Sequence, residues 1–108
     1  VEDRELLELA AKAAGMEIVV DDNGLVWRDG GSGSWPKWNP LTDDGDAFRL
    51  AVNLKLDVAF LGLVDEVFVE SGSGDEMASA YVSYESDPLA ATRRAIVLAA
   101  VEIGRVMP

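Results

Sequence analysis

The sequence predicts an α/β protein built as a three-layer α-β-α sandwich, with three helices and a largely antiparallel sheet of about five strands. Three observations carry this reading. Apolar residues recur at helical spacing in separate segments, short runs rich in β-branched and aromatic residues lie between them, and consecutive strand-like runs are joined by links short enough for hairpins.

The segment Asp3 to Ala14 sets Leu6, Leu9, Ala10 and Ala13 at helical spacing and runs into Gly15, the residue type that most often follows a helix. Glu17 to Val20 and Leu25 to Arg28 are β-prone runs separated by Asp21-Asp22-Asn23-Gly24, and Asn-Gly is a strong hairpin signal. From Asp29 to Leu41 the glycines and prolines exclude both a helix and a central strand, so a long loop is predicted. Thr42 then offers an N-cap, Asp43, Asp44 and Asp46 place negative charge at the positive helix end, and Ala47, Leu50, Ala51 and Leu54 form the apolar stripe of a second helix.

Leu56 to Leu61, Val64 to Glu70 and Ala78 to Glu85 read as three further strands, the last two joined by a mobile tip at Ser71-Gly72-Ser73-Gly74-Asp75-Glu76. Val58 and Phe60 alternate with the equally apolar Ala59 and Leu61, which predicts a sheet covered on both faces. Asp87-Pro88 has the form of an N-cap followed by proline in the first turn, and Leu89, Ile96, Ala100, Ile103 and Met107 continue at helical spacing.

The 108 residues suit one domain, residues 1–108, with nearly half of them hydrophobic. Cysteine and histidine are absent. That removes disulfides, thiolate metal sites, cysteine nucleophiles and the commonest general base and metal ligand, and leaves carboxylate or lysine chemistry as the enzymatic option. The 20 acidic and nine basic residues give a net charge of -11, which repels phosphate backbones and anionic membranes. No apolar run approaches the roughly 20 residues that span a bilayer. The segment Val1-Glu2-Asp3-Arg4-Glu5 is acidic where a secretory signal is basic, so the cytoplasm is the expected compartment.

Trp27, Trp35 and Trp38 lie close together in sequence, and an indole in a glycine-rich loop serves either as an interface anchor or as a plug that seals the core. Trp35 and Trp38 are the candidate anchors. Asn39, Asp43, Asp44 and Asp46 are candidate partner contacts beside them. As a calcium loop this block fails, because Leu54 stands where the terminal glutamate is required, and capping of the second helix accounts for its aspartates. Arg93 and Arg94 are successive in the third helix and cannot form one clamp, so a pairing of one of them with a carboxylate is expected. Gly30 to Gly33 lacks the Lys-Ser/Thr ending of a phosphate loop and leads into Trp-Pro.

Three stretches carry a resemblance: Glu5-Leu6-Leu7-Glu8-Leu9-Ala10-Ala11-Lys12-Ala13-Ala14-Gly15, the distinctive block from Trp38 through Asn39-Pro40-Leu41-Thr42-Asp43-Asp44-Gly45-Asp46 to Val52, and Asp87 with Ala91-Thr92-Arg93-Arg94-Ala95-Ile96-Val97. They resemble the phage ABA sandwich domain, a small phage and prophage family. The resemblance implies an α-β-α sandwich in a bacteriophage accessory protein without an established activity, and it supplies no catalytic residues. The expected function is therefore a non-enzymatic protein-binding module that contacts a host or phage protein, without cofactor, metal, direct nucleic-acid contact or membrane contact. The alternatives are a small carboxylate enzyme, an acidic nucleic-acid mimic that binds a basic partner, and a self-associating component.

Overall fold

A computed structural model describes residues 2–20, 26–28 as backbone, 37–71, 78–84 and 87–108. In chain order the elements are α1 (Asp3–Ala14), β1 (Ile18–Val20), β2 (Val26–Arg28), α2 (Asp44–Leu54), β3 (Leu56–Leu61), β4 (Glu66–Ser71), β5 (Ser79–Ser83) and α3 (Pro88–Val106). The mixed α/β class and the order of elements follow the sequence reading. Asp21 to Gly24, Gly30 to Ser34, Trp35 and residues 72–77 lie outside the described residues, as does the Trp27 side chain.

Helix boundaries have local causes. α1 stops at Gly15, whose φ of 71° is the left-handed conformation that closes a helix at no Cβ cost, and the Gly15 and Met16 N–H groups close back on the Lys12 and Ala11 carbonyls. α3 begins at Asp87, whose carboxylate accepts the Ala90 N–H at 3.0 Å while Pro88 occupies the first turn, where its missing N–H costs nothing. The N-cap of α2 is Asp43 and not Thr42. Asp43 is extended (φ -114°, ψ 119°) and accepts the Asp46 N–H at 2.8 Å. The Thr42 hydroxyl instead faces the Asn39 carbonyl at 3.5 Å, because the chain is still turning there.

α3 is the centre of the molecule: α1 and α2 pack on it, and it packs on β4 and β5. Being covered on more than one side, it buries Ala91, Ala95, Ile96, Val97, Ala99, Ala100, Val101 and Gly104. The single stripe expected from the sequence is therefore too narrow, and its ends are misplaced. Leu89 and Met107 are exposed, Met107 lying just past the helix. The alanines and Gly104 allow close approach between helices, and at Gly104 a Cβ would collide with the Leu9 backbone of α1. α1 correspondingly buries Leu6, Leu7, Ala10 and Ala11, a face rotated from the predicted one.

The strands divide into two sheets. β1 and β2 form an antiparallel ribbon, and β3, β4 and β5 form an antiparallel sheet in that order, where one sheet of five was expected. Leu61 pairs with Glu66, so residues 62–65 make the β3–β4 turn, and Val64 belongs to that turn and not to a strand. Asp65 sits at φ 51° there, with its carbonyl accepting the Tyr84 N–H at 2.8 Å.

Alternation separates the two faces of this sheet. Val67 and Val69 are fully buried toward the helices, with Val58, Ala80 and Val82 packed against the same core. The opposite set is Asp57, Ala59 and Leu61 on β3, Glu66, Phe68 and Glu70 on β4, and Ser79, Tyr81 and Ser83 on β5. Asp57, Ala59, Ser79, Tyr81 and Ser83 are exposed. The expectation of a sheet covered on both faces is thus corrected: among the described residues, the helices lie on one side of it.

Candidate functional site

The sequence block around Trp38 forms a single locked corner. Trp38 is only 3% exposed and belongs to the core, so the second of its two sequence readings, the plug, is the one its position supports. Behind it the Asn39 carboxamide oxygen accepts the Leu41 N–H at 3.0 Å, and the Asn39 carbonyl accepts the N–H groups of Thr42 and Asp43. Asp46 then reaches back from the first turn of α2. It is buried, accepts the Asn39 N–H at 3.0 Å through one oxygen and takes the Arg49 guanidinium at 2.9 Å on the other. Gly45 has no side chain to crowd this pair; a Cβ there would approach the guanidinium to 3.1 Å.

Arg93 fastens the corner to α3. Its Nη1 meets Asp44 at 2.6 Å and its Nε donates to the Leu41 carbonyl at 2.9 Å, which fulfils the expected pairing of one of the two arginines. The structure therefore brings Trp38, Asn39, Asp43, Asp44 and Asp46 together, as a capping and cross-linking network whose polar groups are engaged within the chain. Trp35, the other candidate, lies outside the described residues. Among the described residues, no group of three or more His, Cys, Asp or Glu side chains is arranged to hold a metal ion, and no helix is long and apolar enough to cross a membrane.

The outer face of the β3–β4–β5 sheet has the opposite character. Phe68 and Tyr81 are direct cross-strand partners with ring centroids 4.4 Å apart and planes inclined by 30°, and Tyr81 is 62% exposed. Ala59 continues their row across β3. The row on one side runs Asp57–Glu70–Ser79 and the row on the other Leu61–Glu66–Ser83, so carboxylates flank the aromatic pair on both sides. Asp57 and Glu70 are themselves direct partners. Like charges so placed, about 5 Å apart at Cβ, destabilise an antiparallel pair. The three strands contain no lysine or arginine, and among the described residues no cation pairs with Asp57, Glu66 or Glu70.

A second open surface lies where α2 meets β3. Phe48, Val52, Leu56, Val58, Phe60 and Ile96 line a shallow groove of about 390 Å³, and Lys55 is the only ionisable side chain among its lining. Phe48, Val52 and Phe60 are largely exposed there.

Sequence reasoning missed both surfaces. The signal available for the outer face was the polar-apolar alternation Glu66, Phe68, Glu70 opposed to Val67 and Val69. For the groove it was the i, i+4 pair Phe48 and Val52 outside the predicted stripe. Compared with known protein families, curated proteins and solved structures, the chain finds no match in any of the three.

Proposed function

We propose that the chain is a phage or prophage accessory protein that works in the host cytoplasm as a non-enzymatic protein-binding module, and that it binds through the outer face of the β3–β4–β5 sheet. The observation that carries this reading is the aromatic pair Phe68 and Tyr81 at the middle of a sheet face that, among the described residues, no helix covers. Stacked aromatics contribute large contact area at low entropic cost, and they are enriched where one protein surface meets another. The contrast with the Trp38 corner supports the choice of surface. There every candidate polar group already has a partner within the chain, whereas the carboxylates of the outer face have none among the described residues.

The expected three-layer sandwich placed both outer layers within this chain; among the described residues the side of the sheet away from α3 carries no helix, and it is the side offered to the partner in this reading. The phage assignment rests on the family resemblance alone. The binding reading is tested by capture from host lysate with the wild-type chain and with Tyr81→Ala as paired baits. A protein retained by the first and lost with the second supports it; equal retention by both overturns it.

A further inference from the structure

From the charges around the aromatic pair we infer the chemistry of the occupant: a protein segment that lays an arginine side chain on the Tyr81 ring and pairs its guanidinium with Glu70 or Glu66. The inference rests on the proposed function, since it names the partner class of that same face. Its first ground is the register. Phe68 and Tyr81 lie in one row, and Glu66 and Glu70 sit two residues to either side of Phe68 on the same strand face. Diagonal neighbours across strands are about 7–8 Å apart at Cα, within reach of a long side chain stacked on the ring. A planar guanidinium stacks on an aromatic face while donating two parallel N–H bonds to a carboxylate, a fork geometry that an ammonium lacks.

The second ground is the direct pairing of Asp57 with Glu70 on a face whose strands contain no basic residue. Such a pair weakens the isolated sheet, and an incoming cation relieves the repulsion. Binding energy is thus available to a basic segment and withheld from acidic ones. The net charge of -11 argues in the same direction against a second copy of this chain and against nucleic acid.

The test is a titration of the isotope-labelled chain, residues 1–108, with a short synthetic peptide carrying several arginines among glycine and serine. Matched peptides carry lysine or glutamate in their place, and amide shifts are followed by NMR. The expected result is saturable shifts centred on β4 and β5 around Phe68 and Tyr81, weakening several-fold between about 0.05 and 0.5 M salt. Tyr81→Ala should weaken arginine-peptide binding about two- to fivefold, the range of an exposed cation–π contact, and the lysine peptide should bind less tightly than the arginine one. Asp57→Asn separates a binding role from a structural one: it should raise the urea midpoint by relieving the Glu70 repulsion while weakening the peptide.

Shifts spread over the whole acidic surface without saturation, or equal binding of the lysine peptide, would overturn the arginine assignment. If capture remains sensitive to Tyr81→Ala in that case, the binding-face reading stands while its partner class falls. Peptide binding at the face together with capture indifferent to Tyr81→Ala would remove the binding-face reading itself. Self-association of the wild type that Tyr81→Ala abolishes would replace the basic partner with a second copy.

Discussion

Gly104 of α3 lies directly against the Leu9 carbonyl of α1, so that the backbone of one helix occupies the space a side chain would need on the other. This contact sets the depth at which α1 seats on α3. Alanine normally exceeds glycine in helix propensity by about 1 kcal/mol, so Gly104→Ala would stabilise a helix in isolation. Here the methyl group must push α1 outward, and overpacking of this kind costs about 1–3 kcal/mol. We predict a net fall in the urea midpoint. A midpoint at or above that of the wild type would show that the two helices are not in this contact.

Asp43 and Thr42 provide a paired test of the α2 start. Asp43→Ala removes the acceptor of the Asp46 N–H and should cost about 1 kcal/mol, within the range for loss of an N-cap. Thr42→Ala removes a hydroxyl with one long contact to the Asn39 carbonyl and should fall within about 0.5 kcal/mol of the wild type. Chemical denaturation of both variants decides the matter; the reverse order of costs would place the cap at Thr42.

Trp38 is predicted to matter for folding and not for recognition. Truncating an indole in a packed core costs about 3–5 kcal/mol, a large share of a small domain's stability, so Trp38→Ala should lose most of its cooperative thermal transition. A variant with an unchanged melting curve would return Trp38 to the list of surface anchors.

Ile96→Asp probes the central helix. Ile96 is buried in the core cluster beneath the α2–β3 groove, and a carboxylate there gives up apolar packing and most of its hydration. The expected outcome is loss of the folded state by circular dichroism. Native-like melting would mean that this part of α3 faces solvent.

Local signals carried the element boundaries: Gly15 ended α1 and Asp87-Pro88 began α3 where the sequence reading put them. Signals that depend on a third element did not carry over. The periodicity of α3 marks Ile96 and Ala100 as apolar but cannot show that α1 and the sheet cover different sides, so the breadth of its buried surface was underestimated. Ala59 and Leu61 are apolar, and a single strand gives no register; only the pairing of Ala59 with Phe68 and of Asp57 with Glu70 shows that their side of the sheet is the wet one. The Asp43, Asp44 and Asp46 block was legible as capping. Its link to Arg49 is an i, i+3 pair with Asp46 within the helix, whereas its link to Arg93 required the fold, because Arg93 lies 49 residues from Asp44 in sequence.

The most direct measurement of the central claim is the affinity of the captured partner, by calorimetry, for the wild type, Tyr81→Ala and Phe48→Ser. Tyr81 and Phe48 are comparably exposed, at 62% and 69%, but stand on different surfaces, the outer sheet face and the α2–β3 groove. If the outer face is the binding surface, Tyr81→Ala weakens the complex about tenfold or more, as loss of a central aromatic contact does, and Phe48→Ser leaves it unchanged. A complex that tolerates Tyr81→Ala and fails with Phe48→Ser would contradict the account and move the binding surface to the groove.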